Sequence, residues 1–128
     1  MRICIDLDGV VADFKKEGET YADVAIIRGA KEKIKALRKN GHYVILHTAR
    51  HMKTCSGNTG LVMEKVGHTT LSWLKKHEIP YDEIYFGKPW ADIYLDDNAV
   101  RFENWEKING DGSSFPLSNE KSKKEKKK

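Results

Sequence analysis

Four apolar segments of the chain each end in side chains that suit phosphoryl chemistry. In chain order these end residues are Asp6 and Asp8, then Thr48, then Lys88, then Asp96 and Asp97. Carboxylate, hydroxyl and ammonium groups can supply a nucleophile, an acid or base, and stabilisation of phosphoryl oxygens. Asp6 and Asp8 are two residues apart, so an extended backbone projects both to one side, roughly 6 to 7 Å apart.

A site that gathers these side chains carries excess negative charge. Four carboxylates and one lysine leave a charge of −3. Each like-charged pair at about 4 Å costs on the order of 4 kcal/mol at an effective dielectric near 20. Such a site needs a cation, and Mg2+ favours carboxylate and carbonyl oxygens together with water and a substrate phosphate.

Taken singly, the same residues have ordinary structural explanations. The Asp-x-Asp-Gly run that begins at Asp6 is often a turn, and it lacks the later ligands of an EF-hand loop. Thr48 could cap a helix, Lys88 could be an exposed turn residue, and Asp96 with Asp97 could cap a turn. The ordered set, rather than any one member, indicates a catalytic site.

The segments between these residues predict alternating strands and helices. We expect strands over residues 2–5, 42–47, 83–86 and 92–95, one helix from 29–30 to the 40–41 pair, and one within 62–77. The inward faces are Ala30, Ile34 and Leu37 on the first helix and Val62, Val66, Trp73 and Leu74 on the second. This alternation predicts an α/β fold with a mostly parallel sheet covered on both faces. Ligands then bind outside the carboxyl ends of the strands.

The net charge of the chain is concentrated at its end. The protein has 128 residues, a formal net charge of +4 and a pI near 9.0. Residues 118–128 hold six lysines and two glutamates, which accounts for all of that charge. We expect one domain over residues 1–112 and a flexible lysine-rich tail over 113–128. The tail is either a solubilising extension or a weak electrostatic contact for nucleic acid or anionic lipid.

The apolar runs and the cysteines indicate the cellular compartment in which the protein is expected. The longest uninterrupted apolar runs have four residues, against roughly 20 for a membrane-spanning helix, and no signal-peptide core is visible. We therefore expect a cytoplasmic protein without membrane association. Cys4 lies in an apolar strand pattern and is expected to be a small buried side chain, and a structural disulfide with Cys55 is not expected.

Four motifs of this chain resemble those of the haloacid dehalogenase (HAD) superfamily, in the order usual there. They are Asp6-Leu-Asp-Gly-Val-Val-Ala-Asp13, Leu46-His-Thr-Ala-Arg50, Gly87-Lys-Pro89 and Leu95-Asp-Asp97. The resemblance covers residues 3 to about 103. It is strongest to small capless phosphatases associated with capsular polysaccharide biosynthesis, and the first motif is also similar to that of deoxyribonucleotidases. The fold that this implies is a Rossmann-like three-layer sandwich without a cap domain.

The resemblance implies a role for each motif residue. Asp6 is expected to be the nucleophile that forms an aspartyl-phosphate, and Asp8 the general acid and base. Phosphoryl oxygens are expected to be held by Thr48, Ala49, Arg50 and Lys88, and Mg2+ by Asp6, the Asp8 main-chain carbonyl and Asp97, with Asp96 a direct or indirect ligand. Many members carry another acid shortly after the metal-binding aspartate, whereas residues 98–101 here are Asn-Ala-Val-Arg.

The segments that might cover the site are short. Residues 14–28 and 51–67 are too few to form a cap domain, so we expect an open site, which a second subunit of a homo-oligomer could cover. Arg50 could bind a second anionic group of the substrate or form a surface salt bridge. Lys53, Ser56 and Asn58 are candidate substrate contacts.

Other metal and binding functions are less well supported. His47 and His51 have the spacing of a helical metal pair but lack the glutamate of a zinc hydrolase motif. Trp73 and Trp90 are expected to be packing residues rather than base-stacking platforms, so nucleic acid is not an expected partner. The sequence predicts a Mg2+-dependent phosphomonoester hydrolase acting on a sugar phosphate or polysaccharide precursor. The alternatives are a 5'-nucleotidase-like phosphatase and a non-catalytic phosphate-binding module.

Overall fold

A computed structural model describes residues 1–116 and has an α/β architecture. Its three parallel strands are β1 (Arg2–Asp6), β2 (Tyr43–Thr48) and β3 (Glu83–Phe86), in the spatial order β1-β2-β3. The helices are α1 (Ala30–Lys39), α2 (Thr59–Val62) and α3 (His68–Lys76), with a π-helical turn (Met63–Gly67) between α2 and α3 and a 3-10 turn (Trp105–Lys107) near the end. The predicted α/β class and the parallel sheet are confirmed.

The strand register brings the carboxyl ends of the strands to one edge. Asp6 lies opposite His47, and Thr48 lies opposite Phe86. The Gly87 and Lys88 amides both donate to the Thr48 carbonyl oxygen, at 3.2 and 3.1 Å. The end of β3 is therefore tied to the end of β2, next to the end of β1.

Helix α1 forms as its apolar spacing predicts. Its buried residues are Ala30, Ile34 and Leu37, and lysines occupy exposed and half-buried positions between them. The helix ends where Asn40 donates its side-chain amide to the Ala36 carbonyl at 2.8 Å, which satisfies one of the carbonyls left free at a helix end. Gly29 precedes the helix with φ of +89°, where a Cβ atom would lie 2.9 Å from that of Trp105.

The second helical region is longer than predicted. It begins at Thr59, because the Asn58 side chain accepts a hydrogen bond from the Leu61 amide at 3.1 Å and so caps the first turn. Its inward positions are the predicted ones, namely Val62, Val66, Trp73 and Leu74, all buried. The Trp73 indole donates to the Val24 carbonyl at 2.8 Å, which fixes the irregular segment before α1 against α3.

Two sequence predictions about burial and strands are wrong. Residues 92–95 form no strand, and Leu95 is 99 % exposed. A run of four residues forms strand hydrogen bonds only by pairing with the edge of a sheet. Without a buried face, such a short run does not offset the conformational entropy lost on ordering, so it does not form a strand. Cys4 is exposed rather than buried, because successive side chains of a strand point to opposite faces of the sheet and Cys4 lies on the face opposite the buried Ile5. Cys4 and Cys55 are free thiols.

The segment after the 3-10 turn is tied to the body of the protein. The Asp111 carbonyl lies 2.8 Å from His42 Nε2, and the Gly110 carbonyl accepts from the Asn40 side chain at 3.1 Å. Residues 117–128, which include most of the predicted lysine-rich tail, lie outside the described residues. Within residues 1–116 no helix is long and apolar enough to cross a bilayer.

Candidate active site

Asp6 and Lys88 meet at the carboxyl edge of the sheet. Lys88 Nζ lies 3.4 Å from an Asp6 carboxylate oxygen, and their side chains are 18 % and 37 % exposed, respectively. The Lys88 ammonium also lies 4.2 Å from the centre of the Tyr94 ring. Strand β1 positions the carboxylate, and the turn after β3 positions the ammonium group. A partly open carboxylate beside a fixed cation is a suitable place for a phosphoryl group to be attacked.

Burial changes the titration of the groups around Asp6. Removal from water raises the pKa of the Asp6 carboxyl, Lys88 partly offsets this, and the nearby Asp8 adds to the rise. Burial also lowers the pKa of His47, the cross-strand neighbour of Asp6, and the Lys88 charge lowers it further. The same edge therefore disfavours both an anion at Asp6 and a cation at His47 relative to water.

Asp8 is held by two neighbours that come from β2 and the residues after it. The Thr48 hydroxyl donates to one carboxylate oxygen at 3.0 Å, and Arg50 Nε donates to the other at 2.9 Å. Thr48 Oγ1 in turn accepts from the Arg50 amide at 3.1 Å. The Thr48 hydroxyl, expected to hold a phosphoryl oxygen, is therefore directed at Asp8 in this structure.

Arg50 is a buried residue, not the surface salt bridge that was one of its predicted roles. Its side chain is fully buried, and Nη1 donates to the buried Thr70 hydroxyl at 3.0 Å. The guanidinium lies 4.2 Å from the centre of the Tyr21 ring. One atom of this group, Nη2, is buried without a hydrogen-bond partner among the described residues. Buried donors without partners are rare and call for an explanation, such as a bound ligand or water.

The predicted metal ligands are only partly brought together. Asp96 and Asp97 lie on an exposed segment outside the sheet, and Asp96 accepts a hydrogen bond from the Asn98 amide at 3.2 Å. Nowhere in the described part of the chain do three His, Cys, Asp or Glu side chains converge in a way that could hold a metal ion. Asp6 and Asp8 supply oxygen ligands of the kind that Mg2+ prefers, but Asp97 does not lie with them as the predicted third ligand.

A cavity of about 240 Å3 opens beside Asp8, and we call it the Asp8 cavity. It is lined by cations and aromatic rings, with Asp8, Ala49, His51 and Thr54 between them; the cations are Lys15, Arg50 and Lys53, and the rings are Phe14, Tyr21 and Trp90. Of these, sequence reasoning identified Asp8, Ala49, Arg50 and Lys53 as site residues. It missed Phe14, Lys15 and Tyr21, which lie in the irregular segment between β1 and α1, where no periodic pattern gives a signal.

The other residues considered from the sequence, two loop residues, two histidines and two tryptophans, do not all line the Asp8 cavity. Asn58 serves as the cap of α2, and Ser56 is exposed with φ of +51°. His47 and His51 are separated by the end of β2, and His51 packs edge-on against Tyr21 with ring centres 5.9 Å apart. Trp73 belongs to the core as predicted, whereas Trp90 is 56 % exposed and lines the cavity.

A larger cavity of about 660 Å3 lies away from this chemistry. It includes Lys39, His42 and Tyr43, at the amino end of β2, opposite the edge that carries Asp6. Asp82, in the same lining, is paired with Arg38 at 2.9 Å and accepts from the Val44 amide at 2.7 Å. The Asp82 carboxylate therefore joins α1 to the start of β3. The larger volume does not by itself make this cavity the functional site.

One solved structure is similar to this chain over nearly its whole length. It is the crystal structure of a structural-genomics target from Vibrio cholerae, with 30 % sequence identity, a TM-score of 0.73, and coverage of 99 % of this chain and 98 % of the other. At that identity and coverage, this chain belongs to the same family as the Vibrio cholerae protein, whose description names no activity. No family model and no curated protein matches the chain.

Proposed function

We propose that this protein is a phosphoric monoester hydrolase of the HAD type that acts through an aspartyl-phosphate on a sugar phosphate or related polysaccharide precursor. The proposal includes a HAD-like, Rossmann-like sandwich without a cap domain. The observation that carries it is the ion pair between Asp6 and Lys88, 3.4 Å apart at the carboxyl edge of a parallel sheet. Asp8 follows Asp6 by two residues.

In the proposed first step, an Asp6 carboxylate oxygen attacks the phosphorus atom of the substrate. The bond between phosphorus and the ester oxygen breaks, and an aspartyl-phosphate forms. Lys88 offsets negative charge on the carboxylate and on the transferring phosphoryl oxygens. The partial exposure of Asp6 leaves room for a substrate phosphate to approach.

Asp8 is the proposed acid and base. In its protonated form it gives a proton to the leaving ester oxygen, and as a carboxylate it then accepts a proton from the water that attacks the aspartyl-phosphate. Inorganic phosphate is released and Asp6 is regenerated. Thr48 and Arg50 contribute by fixing the direction of the Asp8 carboxyl group, since each holds one of its two oxygens.

Mg2+ belongs to the proposal as an expectation from the family resemblance. The described side chains do not by themselves form its site, because Asp96 and Asp97 are not gathered with Asp6 and Asp8. The steps above therefore use only groups of this chain. A comparison of turnover in Mg2+ and in EDTA tests the requirement directly.

A nucleotidase is the second candidate, and one observation favours it. The exposed rings of Phe14 and Trp90 border the Asp8 cavity, and aromatic rings can stack on nucleobases. A substrate panel that includes 5'-nucleotides separates this activity from hydrolysis of sugar phosphates.

The test is phosphate release by the full-length protein from sugar phosphates, 5'-nucleotides and an aryl phosphate, with Mg2+ or with EDTA. We expect Mg2+-dependent turnover that falls at least about 1,000-fold in Asp6→Asn, because an amide is not a nucleophile for phosphorus at neutral pH. Asp92→Asn, at an exposed position, is the matched control and should retain turnover. Absence of turnover would contradict the proposal and favour a phosphate-binding module, and an active Asp6→Asn would contradict the aspartyl-phosphate mechanism.

A further inference from the structure

The Asp8 cavity has more positive charge than its own acid can neutralise. Three cations line it with one carboxylate, and Arg50 is the cation that pairs with Asp8. Lys15 and Lys53 form no ion pair within residues 1–116, although both are close to aromatic rings. Two unpaired ammonium groups beside a catalytic acid favour the binding of an anion.

Two buried polar atoms of the lining also lack partners. Arg50 Nη2 and His51 Nδ1 are both buried without a hydrogen bond in the described part of the chain, and both residues line the cavity. The Arg50 side chain is fully buried, so its free N–H group has lost its contact with bulk water. An atom that water cannot reach is also out of reach of a ligand in the cavity, so the contacts to an anion fall to the lysines of the lining.

Aromatic rings form the rest of the wall. Lys53 Nζ lies 4.6 Å from the centre of the Trp90 ring, and Arg50 lies 4.2 Å from that of Tyr21. Phe14 and Trp90 remain 66 % and 56 % exposed. Rings next to cations suit a ligand that has an apolar face and an acidic group, because the ring packs on the face while the cation binds the acid.

The volume of the cavity limits the ligand to a small one. At about 240 Å3 it lies below the roughly 300 to 1,000 Å3 of sites that hold drug-sized molecules. One sugar ring is a better match for this space than a whole nucleotide or an oligosaccharide.

We propose that the Asp8 cavity is a specificity site for a second anionic group, so that the preferred substrate is a monosaccharide phosphate that also carries a carboxylate or a second phosphate. This inference rests on the proposed hydrolase function. Lys15 and Lys53 bind the second anion, and Trp90 packs against the sugar ring. The binding of a second anion, predicted for Arg50, is thereby assigned to these two lysines instead.

The test compares three substrates that differ in one group. Glucose 1-phosphate lacks a second anion, glucuronic acid 1-phosphate adds a carboxylate, and glucose 1,6-bisphosphate adds a phosphate. We expect kcat/KM to be at least about tenfold higher for one of the two substrates with a second anionic group than for glucose 1-phosphate. Which of the two is preferred identifies the second group. Equal kcat/KM values for all three would overturn the inference.

Substitutions locate the source of that preference. Lys53→Met and Lys15→Met should each reduce the selectivity ratio by at least about threefold, mainly through KM, since they remove charge from substrate binding and leave Asp6 in place. Lys39→Met, which removes an exposed lysine of the larger cavity, is the matched control and should keep the ratio. An equal loss of selectivity in Lys39→Met would overturn the assignment to the Asp8 cavity.

A binding measurement separates failure of this inference from failure of the hydrolase proposal. Calorimetric titration of the wild-type protein with glucose 1-phosphate and the two sugars that carry a second anionic group needs no turnover. Tighter binding of one of these two sugars that is lost in Lys53→Met supports the specificity site even if no phosphate is released. Turnover of all three sugars without any selectivity or difference in affinity would support the hydrolase and overturn the specificity site.

Discussion

The two acids of the first motif have different environments although they are only two residues apart. Asp6 is partly desolvated, and its nearest cation lies 3.4 Å away on a partly exposed lysine. Asp8 is bound at both oxygens, one by Thr48 and one by the buried Arg50. The first environment leaves a carboxylate open to a substrate, and the second holds a carboxyl group in a fixed direction.

The raised pKa of Asp6 predicts that the ionised carboxylate destabilises the folded protein relative to the protonated form. Because the folded pKa lies above the ordinary value of 3.8, the stability linked to this group is fully present below that value and is lost as pH rises through the folded pKa. Asp6→Asn carries no such charge, so its free energy of unfolding relative to wild type should increase between pH 4 and pH 7. Urea unfolding in EDTA at both pH values measures this difference. A variant that becomes relatively less stable at pH 7 would contradict it.

Asp8→Asn should have the opposite effect on stability. The buried Arg50 guanidinium would lose its charge partner, at an expected cost of about 1–3 kcal/mol in the free energy of unfolding. Thermal unfolding of wild type, Asp6→Asn and Asp8→Asn at pH 7 gives the comparison, with Asp8→Asn expected to melt lowest. If Asp8→Asn melted with wild type, the Arg50 pair would contribute little to the fold.

At the scale of elements, the sheet edge gathers three of the four predicted groups of polar residues. Parallel pairing aligns the ends of β1, β2 and β3, and it thereby brings Asp6, Thr48 and Lys88 to one edge. The fourth group, at Asp96 and Asp97, depends on a strand that does not form. Parallel pairing with the sheet would be needed to bring these two aspartates to the same edge, and residues 92–95 do not pair with it in this structure.

The exposure of Leu95 allows a direct test of whether residues 92–95 form the predicted strand. Leu95→Ala should change the free energy of unfolding by less than about 0.5 kcal/mol, because the side chain is 99 % exposed. Leu74→Ala, at a buried position of α3, is the matched control and should cost about 2–5 kcal/mol. Chemical denaturation measures both. A cost above about 2 kcal/mol for Leu95→Ala would indicate that residues 92–95 pack as the predicted strand.

At the scale of the whole molecule, His42 joins the two ends of the described chain. The amino group of Met1 lies 2.9 Å from His42 Nδ1, and the Asp111 carbonyl lies 2.8 Å from Nε2. The neutral tautomer with a proton on Nε2 satisfies both contacts, since Nδ1 then accepts and Nε2 donates. One imidazole therefore connects the start of β1 with residues 109–112.

His42→Ala should loosen both ends together. Loss of two hydrogen bonds at a half-buried position predicts a decrease of about 1–2 kcal/mol in the free energy of unfolding. Residues 109–116 should also become more sensitive to limited proteolysis, which mass spectrometry of the cleavage products would locate. His68→Ala, at an exposed position of α3, is the control. Equal stability and cleavage in the two variants would contradict this role of His42.

The sequence by itself determined the elements whose patterns are local. The faces of α1 and α3 follow from apolar spacing near 3.6 residues, and the strands follow from short apolar runs that end in polar residues. Because parallel strands align their ends, the proximity of Asp6 and Lys88 also followed from chain order.

Only the tertiary structure decided the contacts between distant segments. It buried Arg50 against Asp8 and Thr70, placed Tyr21 over that guanidinium, and left Cys4 and Leu95 exposed. These outcomes join residues about 20 to 40 positions apart, or depend on which surfaces other segments cover. Periodicity reports how a residue relates to its own helix or strand, whereas burial and ion pairing depend on what other segments place against it.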